Sequence, residues 1–194
     1  MKRISSFFPV LIVALLAMAS FWLEYVVRNE NHGGLGNNRH DPDAIIHDFS
    51  VARFDAEGRK RSDLSADKLT HFPDTDTAEL VSPRISFLQE HRTTTFTSDH
   101  GLADNHQRVV TLIGNVQGST PAGADTPAQT LATDELEVLV DEEIGRTRHP
   151  ISFSHGASEL TGIGANWNNV SGQLDVLSHV RTKIFRAPKH DMQN

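Results

Sequence analysis

The sequence predicts an all-β body, elongated and built as two facing antiparallel sheets, behind one N-terminal transmembrane helix. Three observations lead there: an apolar run near the start, period-two alternation through the remainder, and a repeat of about thirty residues.

The apolar run extends from Phe7 to Leu23, is interrupted at Glu24 and resumes with Tyr25-Val26-Val27, behind Lys2 and Arg3. About twenty such residues suffice to cross a bilayer as a helix. Ala17-Met18-Ala19 also matches the small-residue cleavage pattern of a secretory signal. The run continues through Phe21-Trp22-Leu23 beyond that point, and Trp22 and Tyr25 suit a membrane interface, which favours an uncleaved anchor. The expected placement is therefore inner-membrane and single-pass, with residues 1–28 as cytoplasmic tip and anchor. Lys2 and Arg3 would face the cytoplasm and the body the periplasm. Glu24 is read either as reaching the outer interface or as touching a partner membrane protein.

Residues 29–43, rich in Asn, Gly and His, have the composition of a flexible linker. The body follows over 44–188, with a short tail over 189–194. The chain has no cysteine, which excludes disulfides, thiol nucleophiles and thiolate metal sites. The net charge is −7; Lys2, Arg3 and Arg28 stand against Glu24 in the first 28 residues, so the remainder carries −9. A body this acidic repels phosphate backbones, and nucleic acid is excluded as a partner.

Within the body, Phe49-Ser50-Val51, Val110-Thr111-Leu112 and Leu174-Asp175-Val176 alternate as half-buried strands do. Turn chemistry separates them at Asp55-Ala56-Glu57-Gly58, Asp104-Asn105 and Asn168-Asn169. Ala132 to Val140 comes closest to a helix, but Leu136, Val138 and Val140 alternate. Aligned without gaps, Phe96-Thr97-Ser98-Asp99 falls on Leu160-Thr161-Gly162-Ile163, Leu112 on Val176 and Val116 on Val180. Leu131-Ala132-Thr133-Asp134 begins a third copy, ending at Ile151. Leu64-Ser65-Ala66-Asp67 begins a fourth, ending at Ile85. Each copy reads as strand, turn, strand and connection. Such a unit cannot bury its apolar face alone and must stack on its neighbours.

These residues resemble the LptC family of lipopolysaccharide export. The resemblance rests on the strand entering Asp55-Ala56-Glu57-Gly58, then Leu64-Ser65-Ala66, Leu80-Val81-Ser82-Pro83 and the 103–116 segment ending in Gly114-Asn115-Val116. It closes on Thr130-Leu131-Ala132-Thr133 and Leu160-Thr161-Gly162-Ile163-Gly164. Order, spacing and position behind a single helix carry it, since each motif is short. Phe54 stands where the family often has Tyr or Trp. The resemblance implies a β-jellyroll open along one side, with lipid A acyl chains held between its sheets. It implies contact with the inner-membrane ABC transporter (LptB, LptF and LptG) at the first strand, about 44–54. The last strand, about 174–185, would meet the bridge protein LptA. Both contacts use β-augmentation.

Acyl chains cost about 0.8 kcal/mol per CH₂ to expose, so a carrier needs continuous apolar surface and no directed chemistry. Alternate side chains of a half-buried strand face inward. On the last strand that set is Leu174, Val176, Ser178, Val180, Thr182 and Ile184. The repeat maps it onto Val110, Leu112, Gly114 and Val116. The other strands supply Phe49, Val51, Leu64, Ala66, Leu80, Phe96, Leu136, Val138 and Phe153. By residue type alone these form a packed core; the resemblance makes the same interior a lipid site.

Catalytic and metal readings fail on spacing. Eleven histidines are scattered, with His100 and His106 near one hairpin. Ser98-Asp99-His100 point to alternate faces, which a triad does not allow. Gly162 and Gly164 lack the strand-to-helix context of a dinucleotide site and suit a bulge or edge. Arg59-Lys60-Arg61 is a solvated run after a turn. No cofactor and no enzymatic activity are expected. The expected function is to take lipopolysaccharide from the transporter and pass it to LptA. The alternative is a structural tether of the same fold that does not carry lipid.

Overall fold

Among the described residues, the alternating segments become eleven strands. The computed structural model describes residues 8–30, 40–89, 92–104, 108–124 and 126–184. It divides into a helical unit within residues 1–40 and a β unit within 41–194. The expected tip before Phe8, most of the linker, Asn105, His106, Phe185 and the 189–194 tail lie outside the described residues.

The helical unit contains one helix, α1 (Phe8–Glu30). The expected transmembrane helix is corrected here: among the described residues, no helix is long and apolar enough to cross a membrane. Glu24 closes the apolar stretch that begins at Phe8. At 1.5 Å per residue that stretch measures about 24 Å, against a hydrocarbon core of about 30 Å. Arg28-Asn29-Glu30 then end the helix in polar residues. The expected single-pass inner-membrane placement, with a cytoplasmic N-terminus, therefore has no membrane-crossing helix to rest on.

The strands are β1 (Ala44–Phe54), β2 (Lys60–Phe72), β3 (Thr77–Val81), β4 (Arg84–Gln89), β5 (Arg92–Thr97), β6 (His100–Asp104), β7 (Val109–Thr120), β8 (Gln129–Leu139), β9 (Ile144–His155), β10 (Ser158–Asn168) and β11 (Gln173–Lys183). All pair antiparallel in one elongated, jellyroll-like sheet. β2 pairs with β4 through residues 62–65 and with β3 through 68–72. β7 likewise pairs with β6 through 110–113 and with β5 through 117–119. β3 with β4, and β5 with β6, are thus long strands bent in the middle. Pairing crosses the bends: Ser82 donates its N–H to the Asp99 carbonyl at 2.9 Å, and Asp99 donates to Gly114 at 3.0 Å.

Those bends fold one sheet into two facing halves. Positive φ marks them at Asp48, Ser82, Gly114, Asn115, Gly164 and His179. Pairing register also shifts between Ile113 and Val116 and on both sides of Ile163. Bulges of this kind bend a strand and re-aim its side chains. Side-chain phase changes with them: β8 buries Leu131 and Thr133 before its bend, then Leu136 and Val138 after it. One half holds β3, β6 and the strand ends near residues 72, 109, 139, 144, 168 and 173. The other holds β4, β5 and the opposite ends.

The repeat corresponds to four bent hairpins: β2 with β3–β4, β5–β6 with β7, β8 with β9, and β10 with β11. Their start residues Leu64, Phe96 and Leu131 are buried and Leu160 is half-buried. Their end residues Ile85, Val116 and Ile151 are buried, but Val180 is 52% exposed. Among the described residues, no strand pairs with the far side of β11, which belongs to the last copy.

Candidate functional site

Between the two halves lies one continuous apolar cluster. Nine of the residues selected from sequence are buried in it: Leu64, Ala66, Leu80, Phe96, Val110, Leu112, Val116, Leu136 and Val138. Five pack against it half-buried: Phe49, Val51, Phe153, Leu174 and Val176. Val180 and Ile184 do not join it, being 52% and 75% exposed, and Ser178 and Thr182 are exposed as well. Every residue of β11 after Val176 is exposed, Ser178 included, so no inward set of either parity continues along the strand. Gly114 sits at a bend with φ 79°, and a Cβ there would stand 3.2 Å from the Asp99 carboxylate.

Sequence reasoning missed the aromatic centre. Phe87, Phe96 and Trp167 come together, with Trp167 centred 4.9 Å from Phe96 and 6.0 Å from Phe87. Ile85 and Ile151 were noticed only as repeat ends, yet both are buried in the cluster. Trp167 precedes the Asn168-Asn169 turn, so it reads as part of a turn; its only signal is alternation with Ala165, which is also buried. A narrow cleft of about 20 Å³ opens beside Trp167, lined by Phe96, Thr120, Leu131, Phe153 and Leu174 among others. That is room for about one water molecule and far too little for an acyl chain.

Among the described residues, two sheet edges carry no further strand: β1 pairs with β2 alone and β11 with β10 alone. The apolar residues exposed along β11 are Leu177 and Val180; Ile45 and Ile46 are exposed on β1. Unpaired N–H and C=O groups beside apolar side chains form a template for another strand.

The polar groups are structural. In the β1–β2 turn, the Asp55 carboxylate accepts the Arg59 backbone N–H at 2.8 Å and the Glu57 N–H at 3.1 Å, with Gly58 at φ 78°. The hydrogen bond from the Arg59 N–H is the main cause holding this carboxyl below its usual range. The run Arg59-Lys60-Arg61 is paired instead of free: Arg59 with Asp55, Lys60 with Asp63 at 2.8 Å, and Arg61 with Glu143 at 2.7 Å. His71 is raised above its ordinary value, first by its hydrogen bond to Asp43 at 2.7 Å. Among the described residues, no group of histidines and carboxylates is placed to hold a metal.

The arrangement defines a class: a β-jellyroll with a continuous apolar interior and two open sheet edges. A family profile described as "Lipopolysaccharide-assembly, LptC-related" matches residues 10–184. The chain belongs to the LptC-related family, whose members are lipopolysaccharide-transport components and not catalysts. No curated protein matches it. Among solved structures, it is similar to LptH from Pseudomonas aeruginosa, "the LptA homologous periplasmic component of the conserved lipopolysaccharide transport device". The identity is 10% and the TM-score 0.48, over 78% of this chain and 100% of that one.

Proposed function

We propose that the β domain, residues 44–188, holds the acyl chains of lipopolysaccharide between its two half-sheets and passes them along the export route. The lipid would come from the inner-membrane ABC transporter (LptB, LptF and LptG) and go to LptA. The observation that carries this reading is the single apolar cluster running between the halves from Phe49 to Val176. It presents no directed chemistry, and an acyl chain needs none. The open edges at β1 and β11 support exchange of the lipid with partners paired at either end.

The tether reading has one observation in its favour: the interior is full, with a cleft of only about 20 Å³. Photocrosslinking separates the two. A crosslinker at half-buried Phe153 or Leu174 captures lipopolysaccharide in a carrier, whereas one at Glu57 or Thr75, on exposed turns, does not. Equal labelling at interior and turn positions would leave the tether.

A further inference from the structure

The two halves of the jellyroll are hinged along their bends, so the side opposite the bends is where they part. That side is closed by polar contacts between strand ends. Arg61, at the start of β2, pairs with Glu143 in the β8–β9 turn at 2.7 Å. Arg53, at the end of β1, pairs with Asp141 in the same turn. Asn169, in the β10–β11 turn, is 1% exposed. Its side-chain amide donates to Glu143 at 2.5 Å, and its side-chain oxygen accepts from Thr94 of β5 at 3.1 Å. Its backbone carbonyl accepts from Gln89 at 3.0 Å and from Arg92. Each of Arg61–Glu143, Arg53–Asp141, Thr94–Asn169, Gln89–Asn169 and Arg92–Asn169 joins one half-sheet to the other.

We propose that this set, centred on Asn169 and Glu143, is a clasp over the mouth through which an acyl chain enters, with Trp167 as the plug behind it. The proposal rests on the carrier reading and specifies where and how the lipid is admitted. Three observations converge on it. Asn169 and Trp167 are two residues apart, so opening the clasp moves the plug. The cleft beside Trp167 is lined by Thr120, whose hydroxyl lies 3.0 Å from that of Thr94 in the clasp. The clasp is made of hydrogen bonds and ion pairs, while the cluster behind it is apolar. Once the clasp parts, its groups take water in place of one another at a small net cost, whereas separated apolar faces gain no such replacement. The rim therefore yields first, and an acyl chain replaces the apolar contact that Trp167 loses.

The test uses the full chain with Trp22→Phe, which leaves Trp167 as the single tryptophan. A bromine-labelled long-chain fatty acid quenches tryptophan fluorescence on contact and reports arrival of an acyl chain at the plug. Arg61→Ala and Asn169→Ala each raise the rate of quenching about tenfold. Arg61→Ala serves as the variant that folds even where loss of buried Asn169 does not, since its side chain is 42% exposed. Conversely, Arg53→Cys with Asp141→Cys, bridged by a short bismaleimide, slows quenching at least tenfold relative to the unbridged pair. The chain has no other cysteine to react. Equal rates in bridged and unbridged protein would overturn the clasp while leaving the carrier reading in place. Absence of quenching in every form, unbridged included, would overturn the carrier reading and the clasp with it.

Discussion

Phe96 lies edge-on to both Phe87 and Trp167, with centroid distances of 6.4 and 4.9 Å. Truncating a fully buried aromatic removes transfer energy and leaves a cavity, so Phe96→Ala is expected to cost about 3–5 kcal/mol. Urea titration of the folded protein will show this as a lower midpoint with an unchanged slope. Gly118 gives the converse case. A Cβ there would stand 2.6 Å from the Phe96 ring and 3.2 Å from Leu131. Gly118→Ala is expected to destabilise by about 1–3 kcal/mol through overpacking, read by the same titration. At His71 the direction of the pKa shift sets a pH dependence. Its folded value is raised by Asp43, so the stabilisation is complete below the unfolded value near 6.5 and lost as pH rises through the folded value. Ala44, the first residue of β1, pairs with His71, so this pair secures the start of that strand. NMR titration should find His71 above 6.5 in the parent and lower in Asp43→Asn; an unchanged titration would remove Asp43 as the cause.

At the scale of elements, the two edge strands differ from the nine inside. Each interior strand has neighbours on both sides, and its apolar face is covered. β11 is covered only where Leu174 and Val176 pack on the cluster, and Leu177 and Val180 stay exposed. Charged side chains on an edge blunt pairing without touching a core. Leu177→Lys with Val180→Lys is expected to weaken capture of LptA at least tenfold, about 1.4 kcal/mol, while the thermal midpoint stays within a few degrees. Undiminished capture in a pull-down would assign the docking to another element. In the last hairpin the position that is buried as Ile85, Val116 and Ile151 in three copies is exposed as Val180 in the fourth.

Across the whole molecule, every residue of the apolar cluster lies between Phe49 and Val176, within the β unit. Cooperativity follows from that shared core. Residues 41–194 expressed alone are expected to unfold in one transition, with the midpoint of the full chain. Two separated transitions by calorimetry would show that the halves of the jellyroll melt independently. The molecule thus has two regions with different physics. The interior is apolar, and the rim where the strand ends meet is held by hydrogen bonds and ion pairs.

The sequence alone determined the β class, the strand ends and the repeat, because alternation and turn residues are local. Ala44–Phe54 was expected as the first strand and is β1. Most of the chosen inward residues also proved to share one interior, since within a half-strand parity suffices. Parity says nothing of where a strand leaves the cover of the opposite half-sheet. Val180 and Ile184 were placed by counting on from Val176, and only the folded chain shows β11 exposed on both faces beyond that residue. The helix shows a different limit: an apolar run reads as a span until Glu24 and the length of the uninterrupted stretch are set against the thickness of a bilayer. What only the tertiary structure decided is the meeting of residues far apart in sequence. Arg61 with Glu143, and Thr94 with Asn169, are separated by 82 and 75 positions. Neither pair leaves a periodic trace, because the bend that folds one half-sheet over the other sets them opposite each other.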